Sequence, residues 1–168
     1  MFSGDLSKRA TAADARELCA WARQAKAGDR CVYHIGNLVA DRSAFPALHQ
    51  LAETVLLLQE TGWLVGAQQR IRLPTVDGWS YACVRTGSGR APRAVLAGTI
   101  TATHYRAMEA IRARAAAVSV TRAVRDALSV SDDTAAELVS TMRRKGWVIE
   151  QPVKGWELSP AGTKLLVA

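Results

Sequence analysis

Cys31 and His34 stand three residues apart, a spacing at which two side chains can begin a metal site or, as thiol and imidazole, a nucleophilic pair. Both chemistries need more than that. A metal site requires a second pair of ligands, and Cys83, His49 and His104 are scattered along the chain. On a regular strand, spacing three also sends two side chains to opposite faces. There is no Gly-rich phosphate loop, no Gly-x-Ser-x-Gly elbow and no concentrated carboxylate pair. No catalytic, metal or cofactor site is therefore expected, and the chain does not read as an enzyme. The three cysteines are odd in number and form no Cys-x-x-Cys pair, so they read as reduced, mostly buried thiols.

The arginines carry the stronger signal. The chain has 168 residues and a net charge of +7, and the whole excess lies between Trp63 and Val130. There Arg70, Arg72, Arg85, Arg90, Arg93, Arg106, Arg112, Arg114, Arg122 and Arg125 face only Asp77, Glu109 and Asp126. No lysine occurs in that stretch, and the segments on either side are balanced. The planar guanidinium engages phosphates and base edges at two points, which an ammonium cannot do, so a central arginine belt suits a polyanion such as nucleic acid. Gln50 is of the type that reads adenine, and His49 beside it can donate.

The elements that would hold these residues are written twice. The first passage runs through Ala47, Leu51, Val55 and Leu58 to Gly62-Trp63-Leu64-Val65 and closes at Gly78-Trp79. The second, 84 positions later, runs through Ser131, Ala135, Val139 and Met142 to Gly146-Trp147-Val148-Ile149 and closes at Gly155-Trp156. In each, a helical stripe is cut by glycine and an alternating segment turns back on itself. The four tryptophans read as rings covering the junction of helix and hairpin. In full, the pattern predicts a helix over Thr11 to Ala27, a strand over Arg30 to Ile35, a helical turn within Leu38 to Ser43, and a helix from Pro46 to Thr61. Trp63 to Arg72 and Trp79 to Arg85 then form a hairpin turned at Pro74 and Asp77-Gly78. The second half predicts a helix over Thr103 to Ala115, a short strand at Val118 to Val120 and helices over Thr121 to Leu128 and Ser131 to Lys145. A smaller hairpin (Trp147 to Gln151, Gly155 to Leu158) and a last helix opened by Ser159-Pro160 complete it.

Thr121 to Gly162 resembles the winged helix-turn-helix domain of small bacterial and phage transcription regulators. The resemblance rests on Ala127-Leu128, the helix from Ser131 to Gly146, Gly146-Trp147-Val148-Ile149 and, most specifically, Leu158-Ser159-Pro160-Ala161-Gly162. A second segment, residues 27–36 with Asp41-Arg42, is similar to one in small uncharacterised proteins of temperate phages. The resemblance implies an α+β fold of two tandem winged-helix-like domains, residues 1–86 and 100–168, joined by a Gly- and Pro-bearing linker over 87–99. In such regulators the early face of the third helix reads bases. Here the second copy offers Asp133, Thr134, Ala136 and Glu137, which repel phosphate, whereas the first offers His49, Gln50, Ala52 and Glu53.

Two functions are therefore expected in competition. The first is a DNA-binding protein, a phage or prophage transcriptional regulator that contacts duplex through His49, Gln50, Arg70, Arg72, Arg85, Arg90, Arg93, Arg122 and Arg125. The second is a phage-encoded protein-interaction module that inhibits a host nucleic-acid complex, an anti-CRISPR type of inhibitor. A homodimer and a cytoplasmic location fit either; no run of some 18 apolar residues suggests a membrane span.

Overall fold

The computed structural model describes residues 10–72, 77–115, 117–151 and 155–167. Those residues form a mixed α+β structure of eight helices and two small sheets. The chain divides into two compact units, residues 1–91 with 96–98 and residues 92–95 with 99–168. No helix among the described residues is long and apolar enough to cross a membrane.

In the first unit, α1 (Ala15–Gln24) starts in a reciprocal cap. The Asp14 side chain accepts from the Glu17 N–H at 2.8 Å, and the Glu17 side chain accepts from the Ala13 N–H at 2.8 Å. This cap makes the helix shorter than the periodicity predicts, and it frees Thr11 to join Ala10 in β1 (Ala10–Thr11), parallel to β2 (Arg30–Gly36). Asn37 caps α2 (Leu38–Ala44) in the same way, accepting from the Ala40 N–H while Asp41 accepts from the Asn37 N–H. Next, α3 (Pro46–Glu60) buries Leu51, Val55 and Leu58 as the stripe predicts, and also Ala52, Thr54 and Leu57, because α1, α2 and the sheet all pack against it. Only Ala47, at the head of the stripe, is exposed.

The hairpin of this unit is β3 (Leu64–Arg72) and β4 (Asp77–Arg85), paired in nine consecutive steps from Leu64↔Arg85 to Arg72↔Asp77. Asp77 and Gly78 thus belong to β4 rather than to the turn, and Pro74 lies outside the described residues. β2 pairs antiparallel with β4, giving the order β1-β2-β4-β3. That pairing contains a bulge. Its register steps from Val32↔Ala82 to His34↔Tyr81, so Tyr33 is the extra residue. The bulge overturns the expectation that Cys31 and His34 point apart: Cys31 opposes Cys83 and His34 opposes Tyr81, and Cys83 and Tyr81 share a face.

Residues 87–91 do not run as a free linker. The Arg90 N–H donates to the Thr61 carbonyl at 2.8 Å, the Thr86 hydroxyl bonds the carbonyls of Gly62 and Trp63, and Gly89 sits against Gly62. A short helix, α4 (Arg93–Leu96), follows with Pro92, Val95 and Leu96 buried.

The second unit packs α5 (Ala102–Ala113) against α6 (Val120–Leu128), α7 (Asp132–Arg144) and α8 (Pro160–Leu166), beside a two-stranded sheet of β5 (Val148–Gln151) and β6 (Gly155–Leu158). Val118 to Val120 is not a strand. The Ser119 side chain accepts from the Arg122 N–H at 3.2 Å, which starts α6 at Val120, and Ser129 turns the chain in the left-handed region (φ 53°) toward the Ser131 cap of α7. Tyr105, Met108, Ile111, Val124, Ala135, Met142, Val148 and Leu166 form the core, whereas Ala115 has left the helix and is exposed. The Leu-Ser-Pro-Ala-Gly segment has a packing reason. The Ser159 hydroxyl donates to the Gly146 carbonyl at 2.6 Å and accepts from the Gly162 N–H at 3.0 Å, while Gly162 backs onto the Trp147 carbonyl with no room for a side chain.

Both passages end their long helix identically. Thr61 and Lys145 hold the last helical conformation (φ −78°, ψ −2° and φ −82°, ψ −1°), and Gly62 and Gly146 follow at φ 72° and 69°, where a side chain would be strained.

Candidate nucleic-acid interface

Cross-strand partners share a face of a sheet, and residues two apart along a strand do too. Arg70 opposes Trp79 in the β3–β4 ladder, so Gln68, Arg70, Arg72 and Trp79 all belong to one face of the hairpin. Gln68, Arg70 and Arg72 are exposed, and Trp79 is 41% exposed. Trp79 therefore does not cover the helix junction as its sequence position suggests. It sits toward the hairpin's turn end, third in β4 and opposite the seventh residue of β3.

His49 and Gln50 lie exposed on the first turns of α3. Their expected neighbours do not join them: Ala52 is buried, and Glu53 is paired with Arg42 at 3.7 Å. The exposed early face of this helix narrows to His49 and Gln50.

The other arginines are differently employed. Arg85 lies flat on Trp63, its Cζ 3.3 Å from the ring centroid, and its guanidinium donates to the carbonyls of Trp63 and Thr86. Desolvation in that stack pulls its pKa below the ordinary arginine value. Arg85 thus braces the base of the hairpin, and Trp63 in turn donates from Nε1 to the Ala22 carbonyl at 3.3 Å. In the second unit Arg125 bonds Asp126 at 2.7 Å and Asp132 at 3.1 Å, and these carboxylates raise its pKa. Arg122 pairs with Asp126 at 3.7 Å, Arg112 with Glu109 at 2.6 Å, and Arg114 donates to the carbonyls of Val118 and Trp156. Arg90 and Arg93 are exposed, the first in the unit that carries the hairpin and the second at the start of α4. The ten arginines therefore do not act as one group: several stitch backbone or neutralise neighbours, and Arg70 and Arg72 share a defined face with an aromatic ring.

Compared with protein-family models, with curated proteins and with solved structures, the chain matches none.

Cys31, His34 and Cys83 make contacts within the first unit, and the hydrogen bond with Cys83 pulls the Cys31 thiol down. Among the described residues no group of three His, Cys, Asp or Glu could hold a metal ion. His34 Nε2 contacts Asp41 Oδ2 at 2.8 Å, which pins β2 to α2. Cys31 and Cys83 face each other across the strands with no exposure, and the hydrogen bond between them together with burial pushes the Cys83 thiol up. Burial also raises Cys19, to about 11. Neither Cys19 nor Cys83 is held as a thiolate, the form nucleophilic attack would need.

His104 supplies a pH dependence. It contacts Thr101 Oγ1 at 2.8 Å and stands edge-on to Trp147, with Lys145 on the same ring. Desolvation, and then the Lys145 charge, hold its pKa below 6.5. Protonation therefore favours the unfolded chain: the stability of this unit is full above about pH 6.5 and declines as pH falls from there toward the lower folded pKa. Urea midpoints of the second unit between pH 7 and about 5 should drift downward, and His104→Gln should flatten the drift; an equal slope in both proteins would contradict the assignment.

Proposed function

We propose that the first unit is a winged-helix-like module that contacts duplex DNA, with β3 and β4 as the wing and α3 as the reading helix. The single observation that carries this reading is the common face of Gln68, Arg70, Arg72 and Trp79 on the hairpin. After the short β1, the element order helix, strand, helix, helix, strand, strand supports it further, with β1 added outside β2 in a sheet of order β1-β2-β4-β3. Arg70 and Arg72 supply phosphate affinity, Gln50 and His49 the base contacts, and Arg90 and Arg93 additional charge. The role is that of a transcriptional regulator.

Anisotropy titrations on duplex DNA, single-stranded DNA and RNA at several salt concentrations test it. Each phosphate neutralised contributes about 0.9 to the slope of log affinity against log salt, so Arg70→Ala/Arg72→Ala should lower the slope by roughly 1.8. Arg85→Ala should leave the slope alone, since that guanidinium is bound to Trp63. An unchanged slope in the double variant would overturn the reading.

One observation favours a second use. The early face of α7 exposes Asp133, Thr134, Ala136 and Glu137, while Asp132 is held by Arg125. An acidic helix face repels phosphate and suits a basic protein surface, which supports a protein-interaction role for the second unit, including inhibition of a host nucleic-acid complex. Charge reversal at Asp133 and Glu137 should then strengthen DNA binding of the whole chain; weaker binding would mean that this helix does meet the duplex.

A further inference from the structure

We infer that Cys31 and Cys83 are a redox pair, which a peroxide closes to a disulfide that staples β2 to β4 and makes the stability of the first unit depend on its oxidation state. The two residues are direct partners in the β2–β4 ladder, and neither has any exposure. Opposed residues of an antiparallel pair have Cα atoms about 4.5 or 5.5 Å apart, and both values fall inside the roughly 4.4–6.8 Å that a disulfide spans. Their side chains also leave the sheet on the same side, which aims the two sulfurs at one another. The sulfurs already meet: Cys83 Sγ lies 3.7 Å from the Cys31 carbonyl oxygen, and the two thiols share a hydrogen bond. Cys19 stands on α1, outside the sheet. The inference does not depend on what the hairpin contacts.

The shared hydrogen bond sets the order of attack. It pulls the Cys31 thiol down and, with burial, pushes Cys83 up, so Cys31 gives up its proton more readily. The Cys31 sulfur attacks a peroxide oxygen, the O–O bond breaks, and the leaving hydroxide takes the thiol proton as water. The Cys83 sulfur then attacks the sulfenic sulfur, the S–O bond breaks, and the second hydroxide takes the Cys83 proton. Two thiols thereby lose two electrons and two protons, and one peroxide becomes two waters. Access needs only a local opening, because the ladder is interrupted by the bulge just beyond Val32 and the outer neighbour of β2 is the two-residue β1. Burial then favours the disulfide over further oxidation, since the sulfenic acid faces a thiol before it meets a second peroxide. The link joins residues 52 apart and encloses α2, α3 and β3, so it constrains most of the unfolded first unit.

Thiol counting and peptide mapping of the full chain test the pair. After hydrogen peroxide in native buffer, the free thiols counted on unfolding should fall from three to one, and mapping should join Cys31 to Cys83. The mapping needs no variant, so it holds even where a substituted chain fails to fold. Cys83→Ser should stop at the sulfenic acid, leaving Cys31 heavier by one oxygen. Closing the link should raise the urea midpoint of the first unit by roughly 1–3 M and leave that of the second in place, and a dithiol reductant should reverse the rise. Three free thiols throughout, or a sulfinic acid in place of the link, would overturn the pair. So would a Cys19–Cys31 link, because loop entropy favours that shorter closure in an opened chain. A mapped Cys31–Cys83 link with an unmoved midpoint would overturn the staple.

Discussion

Gly89→Ala should lower the stability of the first unit by about 3 kcal/mol or more, a large share of what holds a small domain together. Gly89 holds φ 103°, a conformation that costs a side chain of order 1–3 kcal/mol. A Cβ there would also stand 2.3 Å from the carbonyl carbon and oxygen of Gly62 and 2.7 Å from the Trp63 nitrogen, all backbone atoms that no rotamer change can move. What gives way is the stitching of residues 86–90: the Arg90 N–H on the Thr61 carbonyl and the Thr86 hydroxyl on Gly62 and Trp63. Those bonds lie at the base of the hairpin, next to the Arg85–Trp63 stack, so the variant should loosen the hairpin as well as the core. Urea unfolding followed by tryptophan fluorescence would register the loss, with Ser88→Ala, at an exposed neighbouring position, as a reference expected to stay within about 0.5 kcal/mol. A Gly89→Ala midpoint equal to that of the reference would mean that the segment is a spacer after all.

That segment illustrates where the sequence stops being legible. Gly87-Ser88-Gly89 carries the composition of a flexible joint, and composition reports only what a chain can do when nothing is packed on it. Gly89 is glycine because another glycine lies against it, and a contact between residues 62 and 89 leaves no periodic trace. The same limit explains Tyr33. One extra residue in a strand inverts the facing of everything beyond it, and the bulge arises from pairing with β4, far along the chain.

Local rules, by contrast, carried well. The glycines that end α3 and α7 and the Ser159-Pro160 start are each written within a single turn of helix, and the structure has them where the residues place them; the α3 stripe holds at Leu51, Val55 and Leu58 but not at Ala47. The start of α1 differs from the predicted one at Thr11, because Asp14 and Glu17 close a reciprocal pair downstream. For the candidate interface, the alternation of Arg70 and Arg72 is visible along β3, but Gln68 and Trp79 on the same face are not. Trp79 shares that face only by virtue of the register Arg70↔Trp79. Read by itself, a tryptophan after Asp-Gly looks like core. The arginine count misleads in a similar way, because a guanidinium stacked on indole at the base of a hairpin and one on an exposed strand face are the same letter. Arg85 and Arg70 differ through what the fold puts beside them, and the apparent belt of ten divides into braces and candidates on that basis.

Leu58→Ala and Met142→Ala ask whether the doubled passage encodes two cooperative units or one. The two residues occupy corresponding positions, four before Gly62 and Gly146, and both are completely buried. Truncating either removes several methylenes from a close-packed site and should cost roughly 2–5 kcal/mol, the transfer loss plus the cavity left behind. The costs should fall on different transitions. Leu58 packs within a core that includes Leu51, Val55 and Leu64 of the first unit, and Met142 within one that includes Ala135 and Val148 of the second. Calorimetry should accordingly resolve two unfolding events, with Leu58→Ala moving one and Met142→Ala the other, each by roughly 8–40 °C for domains of this size. The outcome bears directly on function. If each variant moves only its own transition, the DNA-binding reading proposed for the first unit predicts that Met142→Ala keeps the salt slope that depends on Arg70 and Arg72 at a temperature where its own unit has melted. If either variant moves both transitions together, the repeated passage builds one cooperative body, and the acidic face of α7 must then be weighed in the DNA-binding reading proposed for the first unit.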